Sequence, residues 1–525
     1  MTEQHTDASH GDPSASQAPS LIELEAMLTA GQLEEAAAAL RDLGPLQRED
    51  SKVAAIARGV FSQLGEVSRA LGETNRLART GSPSRLRQAR FAFGRLRETD
   101  PTWLPHVPSR SDPAPEARPG RVLHHLKESL PYAETGFTFR SRMTLQAQQM
   151  AGFEPVVATS LQFPLSRGIV DAPSEEPVEG IRHHRLLDTS LPDDLSREPY
   201  DLVLDRQAEL LSRVAAAEAP SVIQAGTGYR GYETALCALA VAKSVGVPFV
   251  YEVRGFQEAT WTRSNHLAEK GEYYARRRAQ EKRCFLEADA LITIGEAMKK
   301  EMASRGVDPT SIHVVPNAVD IERFTPRPKR PDLLQHYDLE GRFVVGYISN
   351  LGRREGIDTL ILAVAEAAKR VPDIACLVVG DGPERTELTK LAASQANGEQ
   401  IHLVGHVPNS TIEDHYALID LFVVPRKEDR AARLVTPLKP LEAMAMGLPI
   451  ITSDLPALQE ISSPGERGLD FASGDPRDLA RAIVDLAEDG GSARRFAAAG
   501  REWVRKNRTV ESNAERYRSI LSAIA

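Results

Sequence analysis

One stretch, residues 435–447 (VTPLKPLEAMAMG), combines residue types that suit a phosphorylated ligand. Pro440 fits the first turn of a short helix, because its missing N–H would have no partner there, and the closing glycine ends that helix. The backbone N–H groups of 436–439 would then point out of a helix N-terminus, where a diphosphate is favoured. Lys439 adds a positive charge at the same end, and Glu442 can accept hydrogen bonds from two vicinal hydroxyls, such as those of a ribose. The alternative is a solvated Lys439–Glu442 pair on an ordinary helix.

Ten short apolar runs predict the strands that position this motif. They alternate with longer helical patterns, which is typical of parallel sheets covered on both faces. The runs form two series of five, joined through 316–340, and so predict two doubly wound α/β domains. Ligands bind at the carboxyl ends of such strands, so the cleft between the two domains is the expected site. The predicted strands are 122–126, 156–159, 222–225, 249–253, 291–294, 344–348, 375–379, 401–404, 421–424 and 449–452.

Helical spacing of apolar residues predicts an all-α module before the two domains. Two short helices are expected on either side of Gly31, with Gly44-Pro45 ending the second, followed by helices over 51–80 and 84–99. A segment with five prolines then predicts an exposed linker. The predicted organisation is a disordered tail at 1–19, the helical module at 20–104, the linker at 105–120, a first Rossmann-like domain at 121–316, a second at 317–505, and a C-terminal helix at 506–525 that packs back on the first.

Composition narrows the class of protein. The 525 residues are 42% hydrophobic and 26% charged, which argues against wholesale disorder and against a fibrous chain. A net charge of −9 argues against a protein that mainly binds nucleic acid. Three cysteines without C-x-x-C spacing indicate buried thiols rather than disulfides or a zinc site. No apolar run approaches the ~20 residues of a membrane helix, and the polar start lacks signal-peptide features. The sequence therefore predicts a cytoplasmic protein and leaves open peripheral contact with a membrane.

Around the 435–447 motif, seven regions follow one another in the order found in family-four glycosyltransferases of the GT-B fold, and the chain resembles that family through them. The segment TPLKPLEAMA at 436–445, together with the segment EGID at 355–358, resembles a particular branch of the family. The regions are ESLPYAETGFTFRSR at 128–142, YEVRGFQE at 251–258, ITIGEAMKKEM and VVPNAVDIERF within 292–324, VGYISNLGRREGIDTLILA at 345–363, VVGDGPERTEL at 378–388, LVGHV and LIDLFVVP at 403–407 and 418–425, and PIITSDLPALQEI at 449–461.

The resemblance implies an enzyme that transfers a sugar from a nucleotide-sugar donor, retains the anomeric configuration, and needs neither metal nor other cofactor. The donor would lie against the second domain and the acceptor against the first. Glu442 matches the last glutamate of the family's Glu-x7-Glu pattern, which binds the donor ribose, whereas the first glutamate falls on Leu434. Gly136 matches the glycine-rich turn near the donor phosphates, and Val407 lies where members contact the nucleobase. The predicted donor-binding residues are Gly136, Asn350, Val407, Thr436, Leu438 and Glu442.

The family's usual pair of diphosphate-binding cations is missing. Its G-R-x4-K-G motif places Asn350 and Glu355 at the two cationic positions. A leaving diphosphate gains charge in the transition state, so cations directed at it are a main catalytic contribution. We therefore predict that the cations have moved, with Lys439 as the primary one and Arg353 or Arg354 in support.

On the first domain, Arg254 and Glu258 lie at the carboxyl end of a predicted strand and are candidates for acceptor contacts; a structural ion pair is the alternative. The basic run 276–283 (RRRAQEKR) could touch anionic lipid if the acceptor is polyprenyl-linked, or it is the solvated face of a helix. Of the histidines, 124–125 are expected to pack in a strand and 183–184 to lie in a connection.

The leading interpretation is a glycosyltransferase that acts on a glycan or glycolipid in cell-surface polysaccharide synthesis. One alternative is a GT-B sugar-nucleotide epimerase or phosphorylase. Another is a binding or scaffold protein with an inactive site, which the loss of a glutamate at Leu434 would favour. The helical module has no counterpart in the resemblance and is expected to mediate contact with a partner protein or self-association.

Overall fold

The computed structural model describes residues 20–43, 50–79, 81–109, 116–258 and 266–524. The predicted tail at 1–19, the Gly44-Pro45 helix stop and part of the predicted linker, 110–115, lie outside the described residues. The chain divides into two units. The smaller, here called the helical unit, contains the residues up to Leu104 together with Ser196–Leu204 and Glu258–Gln280. The larger, the two-sheet unit, contains Pro105–Leu195, Asp205–Gln257 and Glu281–Ala525.

The helical unit is all-α, as predicted, but the bounds of one predicted helix are wrong. The predicted helix 51–80 is two helices, because Gly65 adopts a left-handed conformation with a φ of 72° and the chain turns there. Leu24, Val60 and Phe61 are among the buried residues of its core. The helices are α1 Leu21–Thr29, α2 Leu33–Asp42, α3 Ser51–Gln63, α4 Val67–Ala78 and α5 Pro83–Glu98.

Helix α5 binds the later segments of the chain that belong to the same unit. Arg90 donates two hydrogen bonds of 2.8 Å to the carboxylate of Asp201, and Arg97 donates a third. Arg276 donates to Thr99 Oγ1 at 3.1 Å and to a backbone carbonyl of α5 at 2.7 Å. The first arginine of the basic run 276–283 is thus engaged within the protein. Lipid contact by that run and a partner for the helical module both stay predictions.

The first sheet of the two-sheet unit has eight strands in the order β3-β4-β2-β1-β5-β6-β7-β8, all parallel except β3. Helices connect the parallel strands. The elements are β1 Arg118–Leu126, α6 Gly136–Met150, β2 Glu154–Thr159, β3 Glu175–Val178, β4 Ile181–His184, α7 Tyr200–Glu218, β5 Pro220–Gly226, α8 Glu233–Val245, β6 Phe249–Val253, α9 Glu272–Leu286, β7 Ala290–Thr293, α10 Glu296–Ser304 and β8 Ile312–Val314.

Two predictions about this sheet are wrong in detail. Strand β1 begins at Arg118, inside the predicted linker, because the backbone N–H of Arg118 donates to the carbonyl of Ala219 at 2.7 Å. The segment 183–184, predicted as a connection, forms strand β4 of a hairpin. Glu179 and Gly180 both have positive φ angles, of 51° and 79°, and a two-residue turn of this kind closes a hairpin tightly.

The second sheet has six parallel strands in the order β11-β10-β9-β12-β13-β14. With the first sheet it confirms the prediction of two doubly wound α/β sheets, and all ten predicted strands are present. The elements are α11 Pro331–His336, β9 Phe343–Ile348, α12 Ile357–Ala367, β10 Ile374–Val379, α13 Arg385–Ala393, β11 Ile401–Gly405, α14 Ile412–Leu418, β12 Leu421–Val424, α15 Arg430–Leu434, α16 Lys439–Ala445, β13 Ile450–Ser453, α17 Pro456–Ser462, β14 Leu469–Phe471, α18 Pro476–Glu488, α19 Gly490–Asn507 and α20 Val510–Ser522.

The last helix, α20, packs on the first sheet rather than the second. Tyr517 is fully buried in a cluster that includes Val122 and Val222 of strands β1 and β5. Its hydroxyl lies 3.2 Å from Thr144 Oγ1 on α6, and Asn513 donates to the carbonyl of Pro316 at 2.8 Å. Across the described ranges, no helix is both long and apolar enough to cross a membrane.

Candidate functional site

A cavity of about 1290 Å³ lies at the carboxyl ends of strands from both sheets. Gly136 lines it after β1, Arg254 after β6, Asn350 after β9 and Arg426 after β12. Doubly wound sheets place loops at this edge because each parallel strand ends there before its crossover helix begins. The cavity is therefore where the strand pattern predicted the site.

The structure brings eight of the predicted site residues together around this cavity. From the second sheet come residues of the 435–447 motif and of the loops before it, and from the first sheet come a glycine and an arginine. These residues are Gly136, Arg254, Asn350, Val407, Thr436, Leu438, Lys439 and Glu442.

Three predicted residues are elsewhere. Arg353 is exposed, and Arg354 donates to Asp429 Oδ2 at 2.6 Å; neither is among the described residues that line the cavity. Glu258 is buried, belongs to the helical unit and is likewise not part of the described lining. Leu434, at the end of α15, is half-buried. The structure thus does not bring Arg353 or Arg354 to support Lys439.

Lys439 and Glu442 form an ion pair in the cavity wall. Lys439 Nζ donates to Glu442 Oε2 at 3.0 Å, and the buried Tyr416 hydroxyl donates to the same oxygen at 2.6 Å. Burial and the neighbouring carboxylate of Glu442 raise the pKa of Tyr416 well above its usual value, so the phenol stays protonated and remains a donor. Among the described residues Glu442 Oε1 has no hydrogen-bond partner, so it is available to a ligand hydroxyl.

The motif also joins the two sheets. Thr436 is buried, its hydroxyl donates to the carbonyl of Ile294 after β7, and its own carbonyl accepts from Asn317 Nδ2 at 2.8 Å. Leu438 faces the glycine turn, since a Cβ at Gly136 would lie 3.8 Å from Leu438 Cδ1. These contacts place the loop before α16 between the two cavity walls.

The sequence analysis missed a second ion pair in the same wall. Arg426 lines the cavity, and its Nε donates to Glu355 Oε2 at 3.1 Å. Tyr347 donates its hydroxyl to that same oxygen at 2.5 Å. Burial by itself lowers the pKa of Arg426, but the charge of Glu355 raises it above its usual value. The available signal was a charged residue two positions after the buried strand β12, at the edge of a doubly wound sheet where ligands commonly bind.

On the first sheet, Arg254 belongs to an enclosed cluster of charges. It donates to Glu252 Oε2 at 2.8 Å and to Ser141 Oγ at 2.6 Å, while Arg140 donates to Glu252 Oε1 at 3.0 Å. Burial opposes ionisation of Glu252, but the two arginines lower its pKa to about 2. The structural ion pair that was the alternative for Arg254 is thus present, with Glu252 as the partner. The guanidinium of Arg254 also lies 4.5 Å from the centre of the Phe137 ring in the cavity wall.

Within the described ranges, no group of three or more His, Cys, Asp or Glu side chains is placed to hold a metal ion. The cations of the cavity wall are instead lysine and arginine side chains.

Two family models match the two halves of the chain that form this cavity. Residues 330–503 match the model described as "Glycosyl transferases group 1", and residues 135–318 match "Glycosyl transferase 4-like domain". The first covers the 435–447 motif, and the second covers the glycine turn and Arg254.

Similar proteins of known name agree with these models. A GDP-mannose-dependent alpha-(1-6)-phosphatidylinositol monomannoside mannosyltransferase from Mycolicibacterium smegmatis is 29% identical over 45% of this chain and 63% of its own length. The protein of the same name from Mycobacterium tuberculosis is 32% identical over 41% of this chain and 57% of its own. The chain therefore spans less than two thirds of these relatives. A 2-deoxystreptamine glucosyltransferase from Streptomyces kanamyceticus is 27% identical over 51% of this chain and 69% of its own.

Solved structures show the same fold. A sucrose-phosphate synthase from Thermosynechococcus elongatus aligns with a TM-score of 0.61 and 21% identity over 77% of this chain and 100% of its own. A glycosyltransferase from Rickettsia africae aligns with a TM-score of 0.59 and 15% identity over 78% of this chain and 99% of its own. With two doubly wound sheets, a shared cavity and both family models, the chain belongs to the family-four glycosyltransferases of the GT-B fold.

Proposed function

We propose that the protein is a retaining glycosyltransferase that moves a sugar from a nucleoside-diphosphate donor to a glycan or glycolipid acceptor in cell-surface polysaccharide or glycolipid synthesis. The observation that carries the proposal is the Lys439–Glu442 pair in the wall of the large cavity. Two relatives are named as GDP-mannose-dependent, which supports a donor of the nucleoside-diphosphate class.

In this proposal each residue of the donor wall has a separate task. Glu442 Oε1 accepts hydrogen bonds from the ribose, and Glu442 Oε2 keeps Lys439 and Tyr416 in place. Lys439 binds the diphosphate and stabilises the negative charge that grows on it as the bond to the sugar breaks. Val407 contacts the nucleobase, and Gly136 allows the backbone to approach the phosphates.

The reaction exchanges one bond at the anomeric carbon. The bond from that carbon to the diphosphate oxygen breaks, a bond to the acceptor hydroxyl oxygen forms on the same face, and the hydroxyl proton passes to a phosphate oxygen of the leaving group. No general base from the protein is part of the proposal. Arg254, which lines the cavity on the side of the first sheet, is the candidate for acceptor contact.

The test is donor hydrolysis and transfer with UDP-, GDP- and ADP-sugars. Lys439→Ala should lower kcat by about 100-fold or more, because one preorganised charge at a leaving group has that effect. Lys369→Ala is the matched control, since Lys369 forms a pair of the same spacing with Glu366 on the exposed surface. NMR of the product should show the donor's anomeric configuration.

Three outcomes would contradict the proposal. Unchanged turnover in Lys439→Ala would remove the proposed cation from the reaction. Tight nucleotide binding without turnover of any donor would favour a binding protein. Interconversion of free sugar nucleotides would favour an epimerase.

A further inference from the structure

We propose that Arg426, positioned by Glu355, is the second diphosphate-binding cation of this site. The proposal rests on the proposed function and adds to Lys439 a residue from a different loop. It means that the positive charge expected near residue 355 is supplied by a side chain 71 residues further along the chain.

Arg426 lies in the cavity wall with part of its guanidinium unused. Its side chain is 15% exposed and lines the cavity that Asn350, Lys439 and Glu442 also line. Nε is bonded to Glu355, and Nη1 lies 3.4 Å from the carbonyl of Val435. In the part of the chain that the structure describes, Nη2 makes no hydrogen bond. A guanidinium normally uses its whole fork, so this edge is available to an oxyanion in the cavity.

Two hydrogen bonds fix the backbone of Arg426. Its carbonyl accepts hydrogen bonds from Ser453 Oγ at 2.6 Å and Ser473 Oγ at 3.0 Å, at the ends of the neighbouring strands β13 and β14. A cation that must meet a developing charge acts best when it is already in position, because no reorganisation is then needed during the reaction.

Glu355 holds Arg426 in place. It occupies the position where the family's motif has a lysine, and a carboxylate there would repel a diphosphate if it faced the ligand. Among the described residues that line the cavity, Arg426 is present and Glu355 is not. Glu355 Oε2 instead accepts from Arg426 and from Tyr347. The carboxylate thus orients the arginine and does not itself face the donor.

The pair amounts to an exchange of charge between two loops. A lysine at position 355 with a neutral residue at 426 would place one positive charge at this part of the wall. Glu355 with Arg426 does the same, and the guanidinium adds the option of a two-pronged bond to a phosphate. Glu355 is therefore a positioning residue and Arg426 a binding residue.

Calorimetry on the full chain tests this without knowledge of the acceptor. UDP, GDP and ADP are titrated first, and the nucleoside diphosphate that binds tightest is then compared with its nucleoside. Arg426→Ala should weaken binding of the diphosphate by about 10- to 100-fold, the effect of losing a charge-assisted hydrogen bond. Binding of the nucleoside should stay within about 2-fold, because the lost charge acts on the phosphates alone.

Two further variants separate a binding role from a structural one. The double variant Glu355→Lys with Arg426→Ser restores the charge from the other loop and should recover most of the lost affinity for the diphosphate. Glu355→Gln should weaken binding less than Arg426→Ala, since the arginine keeps its charge and loses only its orientation. Arg370→Ala, which breaks an arginine–glutamate pair outside the cavity, is the control.

The outcomes are distinct. If the unmodified protein binds none of the three nucleoside diphosphates, the proposed function fails, and this inference fails with it. If it binds one and Arg426→Ala binds equally well, only the inference is overturned. Equal loss of nucleoside and diphosphate would make Arg426 structural, and this also overturns it. If the alanine variant does not fold, the double variant decides: recovery supports the exchange, and a folded protein without affinity refutes it.

Discussion

Two arginine–glutamate clusters, one from each sheet, line the same cavity, and they differ in how much of their bonding capacity the protein uses. On the first sheet Glu252 is fully buried and pairs with both Arg140 and Arg254. On the second sheet Glu355 pairs with Arg426 alone and keeps 13% of its surface exposed. In both, an arginine faces the cavity and the carboxylate lies behind it.

The difference indicates two separate tasks. Arg140 also donates to the carbonyls of Pro316 and Val315, which connect the first sheet to the second. The first cluster is thus part of the scaffold that holds α6, β6 and the interdomain segment together. Arg426 retains an unused Nη2 among the described contacts, so the second cluster has capacity for a ligand. The enclosed charge serves stability here, and the partly open charge is available for the diphosphate binding that we propose.

Neutralising each carboxylate tests the difference between the two clusters with the largest expected effect. Glu252→Gln should lower the free energy of unfolding by about 3–5 kcal/mol, because two buried guanidinium groups lose their counter-charge. Glu355→Gln should cost less than about 1 kcal/mol, because only one arginine loses its counter-charge and the glutamine oxygen can still accept its hydrogen bond. Urea denaturation followed by fluorescence measures both. Equal losses in the two variants would show that the clusters do not differ in the way described.

Acid should destabilise the first cluster, because that cluster extends into a buried chain of polar groups that includes a histidine. His124 Nε2 lies 2.7 Å from Gln148 Oε1, Gln148 bonds to Gln224, and Gln224 bonds to Glu252. Burial lowers the pKa of His124 to about 4, and burial does the same for His125. The folded protein therefore holds both rings neutral.

The direction of the pH dependence follows from the pKa values of these histidines in the folded and in the unfolded chain. The unfolded histidines bind protons below pH ~6.5 while the folded ones do not until about pH 4. The stability is complete above pH ~6.5 and falls as the pH drops toward 4, by about 2 kcal/mol for each ring between pH 7 and pH 5. Burial also lowers the pKa of His183 to about 4, so in unfolding measurements at those two pH values His124→Gln should remove about a third of the loss that the three buried histidines cause together. The exposed His406→Gln should leave it unchanged, and an acid response independent of His124 would contradict the assignment.

A smaller effect than that of Glu252→Gln is expected in a third arginine–carboxylate cluster, in the helical unit. Asp201 is fully buried, but its partners Arg90 and Arg97 are 35% and 38% exposed. Asp201→Asn should cost about 1–2 kcal/mol, between the values for Glu252 and Glu355, because water can compensate the arginines in part. Lys390→Ala, which breaks an exposed pair with Glu387, is the control and should change the urea midpoint little. A loss as large as that of Glu252→Gln would show that arginine exposure does not set the cost.

Much of the fold could be predicted from local pattern, and the exceptions have physical reasons. Apolar β-branched runs mark buried parallel strands whatever their neighbours are, so all ten predicted strands are present. The hairpin at 175–184 was missed because its polar strands lie at the edge of the sheet, where one face meets water. The break at Gly65 was missed because a single glycine inside helical spacing is tolerated in many helices.

The residues of the candidate site also divide into those that a local pattern predicts and those that it does not. Lys439 and Glu442 were predictable as a pair because three residues along a helix place side chains on one face. Arg353 and Arg354 were predicted for the cavity only because they lie close in sequence to positions 350 and 355, and the turn after β9 directs them elsewhere.

By itself, the sequence determined the two sheets, the sheet edge at which the cavity lies and the motif that carries Lys439 and Glu442, because periodicity and helical spacing are local properties. Only the tertiary structure decided which arginine faces the cavity. Glu355 and Arg426 lie on different loops, and they meet because β9 and β12 are neighbours in the sheet. A pairing across 71 residues depends on strand order, and no local pattern specifies that order.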